Sequence, residues 1–138
     1  MQADTITLCT NQWLRMYRCL DMRDYDGLLA TLGEEVVWLR QGQRLQGRAA
    51  VRQALAQRSP TMRIHHLLTN VMAQDGDDRR CRLAAYMLVV RHEPGRELAG
   101  PAPLAGIESV RSTYADFAWQ DGQWRIMGLR SDDISFQA

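Results

Sequence analysis

The 138-residue chain reads as an α+β protein, three N-terminal helices packed on a strongly curved, mostly antiparallel sheet, cone-shaped overall. Three observations point there. In the first sixty positions the apolar residues recur mostly at three- and four-residue steps, and from position 61 onward the repeat shortens to two. Two Asp-Gly pairs, Asp75-Gly76 and Asp121-Gly122, punctuate the alternating runs as hairpin turns. No internal repeat or linker divides the sequence, and its length suits one domain over residues 1–138 with one substantial core.

Each element follows from its own signals. Residues 5–20 form the first helix, with Ile6, Cys9, Trp13, Met16 or Tyr17, and Leu20 on one face and Asp4 or Thr5 able to cap its start. Asp24 caps a second, shorter helix whose apolar face is Leu28, Leu29 and Leu32, and Gly33 ends it. Glu35 to Gln41 is strand-like and Gly42 turns the chain. Gly47 opens a third helix through about Arg58, with Val51, Ala54 and Leu55 inward, and Ser59-Pro60 stops it. Thr61 to Ala73 is a strand, Gln74 to Asp78 a hairpin turn, and Arg79 to His92 the partner strand. Glu93 to Gly106, rich in glycine and proline, is a long connection. Ile107 to Trp119 is a further strand, turned by Asp121-Gly122 into Trp124 to Phe136. Long strands wrapped on three helices leave a cone, and a cone wider than its own side chains can fill is a pocket.

Composition excludes several function classes. Hydrophobic residues are 46% and charged residues 24%, as in ordinary soluble domains. The formal net charge of +1 gives no electrostatic case for nucleic acid or an anionic membrane. All 17 basic residues are arginine, which rules out Schiff-base chemistry on lysine. Cys9, Cys19 and Cys81 have no motif spacing and read as reduced thiols of a cytoplasmic protein. A basic segment followed by an apolar run is missing at the start, so no signal peptide is expected, and no apolar run approaches the ~20 residues of a membrane span. A glycine-rich phosphate loop and a Gly-x-Ser-x-Gly elbow are both absent, and no cofactor is expected.

Chemistry concentrates in two segments, Leu20-Asp21-Met22-Arg23-Asp24-Tyr25-Asp26 and Met62-Arg63-Ile64-His65-His66-Leu67-Leu68-Thr69-Asn70. Two of the three histidines are adjacent there, and neighbouring strand residues face opposite ways. One of His65 and His66 therefore looks into the fold. The set His66, Leu68 and Asn70 shares one face, and His65, Leu67, Thr69 and Val71 the other. Two adjacent strand histidines cannot chelate one ion, and no second ligand cluster exists, so no metal is expected. Asp21 ends a helix, where the macrodipole disfavours a carboxylate, which suggests a local task. Asp24 reads as a cap.

Arg40 shares a strand face with Trp38, and Arg111 with Thr113. Inward-facing, these arginines need counter-charges, because a buried unpaired guanidinium is costly. Asp21 could supply one, and a substrate carboxylate or enolate the other. Tyr17, Trp38, Tyr86, Trp119 and Trp124 read as core or pocket wall, and the Tyr86 hydroxyl could also polarise a carbonyl.

Three segments carry a resemblance to the nuclear-transport-factor-2-like superfamily, in its SnoaL-like branch near scytalone dehydratase. They are Asp21-Met22-Arg23-Asp24-Tyr25-Asp26-Gly27-Leu28, Met62-Arg63-Ile64-His65-His66, and Gly122-Gln123-Trp124-Arg125-Ile126-Met127-Gly128-Leu129-Arg130. The third resembles a superfamily signature of fold; the first two match the aspartate and histidine that work as an acid/base pair in a dehydration. By that match the catalytic pair is Asp21 and His66, with His66 inward and His65 outward. The chain departs from the pattern where two tyrosines hold a water: those positions are Leu20 and Arg40. The second catalytic histidine falls near His92 or Glu93, and a serine and an asparagine of the fourth strand are replaced by Arg111 and Thr113. The resemblance thus implies a cofactor-independent lyase or isomerase acting on a hydrophobic carbonyl compound, rather than the scytalone reaction itself. Arg40, Tyr86, Arg111, Thr113, Trp38 and Tyr17 are the substrate-binding candidates, and a homodimer is expected. The alternative of the same fold is a non-catalytic ligand-binding or dimerisation module, similar to a ring-hydroxylating dioxygenase small subunit.

Overall fold

Helix α1 (Ala3–Asp21) buries Cys9, Trp13, Met16, Tyr17 and Leu20, the stripe that three- and four-residue spacing predicts. It carries no side-chain cap: Gln2 holds the N-cap position, and neither Asp4 nor Thr5 serves there. Asp24 does cap α2 (Tyr25–Ala30), its carboxylate accepting the Gly27 N–H at 2.9 Å. That helix ends two residues sooner than the apolar pattern suggests. Leu32 and Gly33 already belong to β1 (Leu32–Arg40), and a Cβ at Gly33 would collide with Met127 Sδ, so close packing, not helix termination, accounts for this glycine.

The turn Gln41-Gly42, with both φ values positive, returns the chain into β2 (Gln43–Gln46), a short strand whose polar sequence carries no alternation to announce it. Gly47 then opens α3 (Arg48–Ala56) at φ 85°, burying Val51 and Leu55. Four long strands follow: β3 (Arg63–Gly76), β4 (Arg80–His92), β5 (Ser109–Gln120) and β6 (Gln123–Gln137). The β3–β4 turn is displaced from Asp75-Gly76. Gly76 stays in the strand, and the Asp77 carboxylate makes the turn by accepting the N–H groups of Arg79 and Arg80 at 2.8 and 2.9 Å.

The computed structural model describes all of residues 1–138. Its six strands form one sheet in the order β2-β1-β6-β5-β4-β3, antiparallel except for the parallel β1–β6 pair. A single apolar cluster of 22 buried residues joins the helices to the inner sheet face, with Trp13 edge-on to Phe117 at 6.3 Å. No helix is long and apolar enough to cross a membrane.

Bulges break the strand alternation at two places that matter. In β3 the register slips between Thr69 and Met72, where Asn70 takes φ 55°. Beyond it the phase reverses: Val71 packs on the core instead of sharing the outer face with Leu67, and Asn70 is exposed instead of sharing the inner face with His66. In β6 a slip beside Gly128 moves the inner face from Trp124 and Ile126 to Leu129 and Ser131.

Candidate active site

The end of α1 crosses the edge strand β3, and the junction is a side chain. The Asp21 carboxylate accepts the His66 backbone N–H at 2.9 Å, and its other oxygen lies 2.5 Å from His66 Nδ1. Only 11% of the His66 side chain and 9% of the Asp21 side chain are exposed. Because β3 has no strand on its outer side, Asp21 occupies the hydrogen-bonding edge that another strand would fill. This contact answers why a carboxylate sits at a helix C-terminus: what it loses to the macrodipole is offset by two hydrogen bonds. The Tyr17 ring stacks on the imidazole at 5.1 Å, fixing its plane. With Nδ1 engaged, Nε2 is the ring nitrogen with no protein partner. His65 points outward and is exposed.

His66 forms part of the wall of a cavity of about 130 Å³. Tyr17 and Leu20 of α1, Trp38 and Arg40 of β1, and Met87 and Val89 of β4 contribute, with Arg111 of β5 and Ser131 of β6 opposite. Of the substrate-binding candidates, Tyr17, Trp38, Arg40 and Arg111 therefore meet at one cavity with His66. Tyr17 and His66 also border a broader surface groove of about 810 Å³ outside the α1–β3 seam, together with Asp21, Leu14, Arg15 and Arg18.

Two candidates fall elsewhere. Tyr86 lies opposite Thr69 and Ser112 on the outer face of the sheet, half exposed, so its hydroxyl cannot reach a carbonyl in the cavity. One position of register decides this, since the inward residues of β4 are Ala85, Met87 and Val89. Thr113 is inward but lies behind the cavity wall, fully buried, donating its hydroxyl to the Arg130 carbonyl at 3.1 Å. Of the aromatic residues read as core or wall, Trp119 is part-exposed, edge-on to the buried Trp124 at 5.6 Å.

Charge is the unexpected property of the cavity. Four arginines line it, Arg40, Arg58, Arg91 and Arg111, against the single carboxylate of Glu108. Arg91 pairs with Glu108 at 3.2 Å. The other three have no carboxylate partner: Asp21, the expected counter-charge, is taken by His66. Arg111 donates to the Ser131 carbonyl and the Ser109 hydroxyl at 2.8 and 3.0 Å, and its Nε–H is buried without a partner. Arg58 donates to the Leu20 carbonyl and the Tyr25 hydroxyl at 3.0 and 2.9 Å. Arg40 lies over the Trp38 ring at 5.1 Å and makes no hydrogen bond from its side chain. Burial lowers the Arg40 pKa, and the neighbouring Arg58 charge lowers it further. The Tyr17 hydroxyl is buried beside those of Thr113 and Ser131 without a well-formed hydrogen bond to either, and burial, partly offset by those two hydroxyls, raises its pKa.

Sequence reasoning missed Arg58 and Ser131. Arg58 lies past the end of α3, where no period predicts direction, and the β6 bulge hides Ser131 from parity.

Three helices on a six-stranded, mostly antiparallel sheet make the nuclear-transport-factor-2-like, or cystatin-like, fold, which solved structures of the same architecture share. Residues 3–130 match the SnoaL-like domain family, and the chain belongs to it. Among solved structures it resembles an Asp-to-Asn variant of Rv3472, a Mycobacterium tuberculosis protein of unknown function. Identity is 22% over 96% of this chain and 77% of that one, with TM-score 0.79. A candidate scytalone dehydratase from Novosphingobium aromaticivorans is 14% identical over 97% of this chain and 86% of its own, TM-score 0.75. A Catenulispora acidiphila protein in complex with S-DNPA is 16% identical over 94% of this chain and 95% of its own, TM-score 0.75. No curated protein sequence matches significantly. At such identities the likeness concerns the fold alone.

Proposed function

We propose that this SnoaL-like protein is a small cofactor-independent enzyme in which His66 and Asp21 act as an acid/base pair on a carbonyl-containing small molecule, dehydrating or isomerising it. The observation that carries the reading is the pair itself: an imidazole held through Nδ1 by a nearly buried carboxylate, with Nε2 unpartnered, in a cavity wall.

In this scheme Nε2 accepts the proton of a carbon next to the carbonyl. The C–H electron pair becomes an enolate, whose oxygen takes hydrogen bonds from the partnerless groups of Arg111 and Tyr17. Asp21 holds the ring orientation and stabilises the imidazolium. Return of the proton to another carbon completes an isomerisation. Its delivery to a hydroxyl on the neighbouring carbon releases water and leaves a C=C bond. Apolar walls from Trp38, Met87 and Val89 would enclose the carbon skeleton.

The outer sheet face, with Leu67, Met72, Tyr86 and Phe136 exposed, would pair with a second copy. The three unpaired cysteines fit a cytoplasmic setting.

Proton abstraction is observable before any substrate is known. A panel of carbonyl compounds incubated in D2O and followed by proton NMR should contain members whose α-C–H signal disappears with the wild-type protein. His66→Gln should abolish that exchange while leaving the circular dichroism spectrum unchanged. Equal exchange by wild type and His66→Gln would sink the assignment.

A further inference from the structure

The cavity carries more positive charge than an acid/base pair requires, and it is small. We propose that it is built for a short carboxylate, about six to eight non-hydrogen atoms in all, whose carboxylate group is held between Arg40 and Arg111 while its acidic C–H faces His66. This deepens the reading above and rests on it for the direction of the C–H.

Three observations point to an anion. Arg40, Arg58 and Arg111 line one cavity, none has a carboxylate within 4.0 Å, and the only acidic residue in the lining is paired with Arg91. Gathering like charges in a half-buried space is unfavourable without a compensating anion. The Nε–H of Arg111 and the hydroxyl of Tyr17, itself 2% exposed, are buried donors left without partners. Arg40 is the group most free to receive a ligand, since its side chain forms no hydrogen bond and only stacks on Trp38.

Size comes from the volume. A 130 Å³ cavity is close to one that holds a benzene-sized molecule, and far below the several hundred Å³ of a site for a polycyclic compound. A ring system would have to lie in the groove outside, where it would meet Leu14, Met22, Arg15 and Arg18 rather than Arg40, Arg58 and Arg111.

The probe is 2-oxobutyrate, compared with its neutral amide and with 2-naphthoate, by calorimetry and NMR shift titration. Wild type should bind 2-oxobutyrate, and the amide should bind at least tenfold more weakly. Arg40→Gln removes no hydrogen bond within the protein and should weaken 2-oxobutyrate roughly 10- to 100-fold, the size of one charge-assisted contact. Arg111→Lys, which keeps a charge but loses the fork, should weaken it less. No binding of 2-oxobutyrate or pyruvate at millimolar concentration, an amide that binds equally, an Arg40→Gln variant that binds like wild type, or tighter binding of 2-naphthoate would each overturn the proposal. The two readings fail separately: carboxylate bound through Arg40 without α-proton exchange removes the acid/base role only, whereas exchange of neutral ketones with no preference for carboxylates removes the anion subsite only.

Discussion

Replacing Asp21 by alanine should destabilise the protein by about 3 kcal/mol. The carboxylate accepts two hydrogen bonds, from the His66 backbone N–H and at His66 Nδ1, at 2.9 and 2.5 Å, with both side chains nearly buried. A hydrogen bond to a charged group contributes about 1.5–3 kcal/mol, and a buried N–H left unpaired costs about 1–3 kcal/mol. Two such contacts sum to about 2.5–6 kcal/mol, and relief of an acidic group at a helix C-terminus returns about 0.5 kcal/mol; the lower half of that range applies because both side chains keep some exposure. For a domain of this length about 3 kcal/mol corresponds to a fall in Tm of about 10 °C. Asp21→Asn keeps an acceptor for the backbone N–H and should cost only about 1 kcal/mol. Urea unfolding followed by both tryptophan fluorescence and circular dichroism measures each difference at constant m. An Asp21→Ala variant within 0.5 kcal/mol of wild type, or an Asn variant as damaged as the Ala variant, would refute the claim that this carboxylate fastens β3 to α1.

Other consequences follow from single residues. Asn70 holds φ 55° at the β3 bulge, so Asn70→Val should cost about 1–2 kcal/mol while Asn70→Gly stays near neutral in the same urea assay. Glu93 accepts hydrogen bonds from Ser59, Thr61 and the Gly95 N–H, with the Ser59 contact the largest cause, and these hold its carboxyl below the ordinary range. A lowered folded-state pKa stabilises above the unfolded value and is lost as pH falls through the folded one, so the deficit of Glu93→Gln should be present at neutral pH and shrink below about pH 4; a pH-independent deficit would contradict this. Burial raises the thiol pKa of Cys9 most and of Cys81 and Cys19 as well, and Cys9 and Cys81 are buried. Ellman's reagent should therefore react with all three thiols promptly in denaturant and with the native protein slowly, Cys19 first.

Much of this was legible from period and punctuation. The α1 stripe, the Asp24 cap, the Asp121-Gly122 turn and the switch to two-residue alternation after position 60 correspond to observed elements. So does the orientation of His66, which the family resemblance supplied; parity alone says only that His65 and His66 face opposite ways, as they do. What escaped is what parity cannot carry past an extra residue. Val71 and Ser131 lie beyond bulges and face the opposite way from a straight count. Tyr86 shows a different failure: an aromatic ring suits a sheet face on either side, and its sequence does not say that the outer one is meant. The turn at Asp77 displaced the Asp75-Gly76 signal because a side-chain acceptor for two backbone N–H groups competes with glycine for the corner. The identity of the partner for Asp21 was open between His66 and an arginine. Strand β3 resolves it, since only an edge strand offers both a free N–H and a ring to one carboxylate.

The most direct test of the central claim is long-range 1H–15N NMR of the His66 ring, assigned with His66→Gln, at a pH where the imidazole is neutral. The account predicts the tautomer protonated at Nδ1, with that proton donated to Asp21, and a bare Nε2 whose resonance moves on addition of 2-oxobutyrate. Asp21→Asn should disturb both. A ring protonated at Nε2, insensitive to the carboxylate and unchanged by Asp21→Asn, would contradict the account.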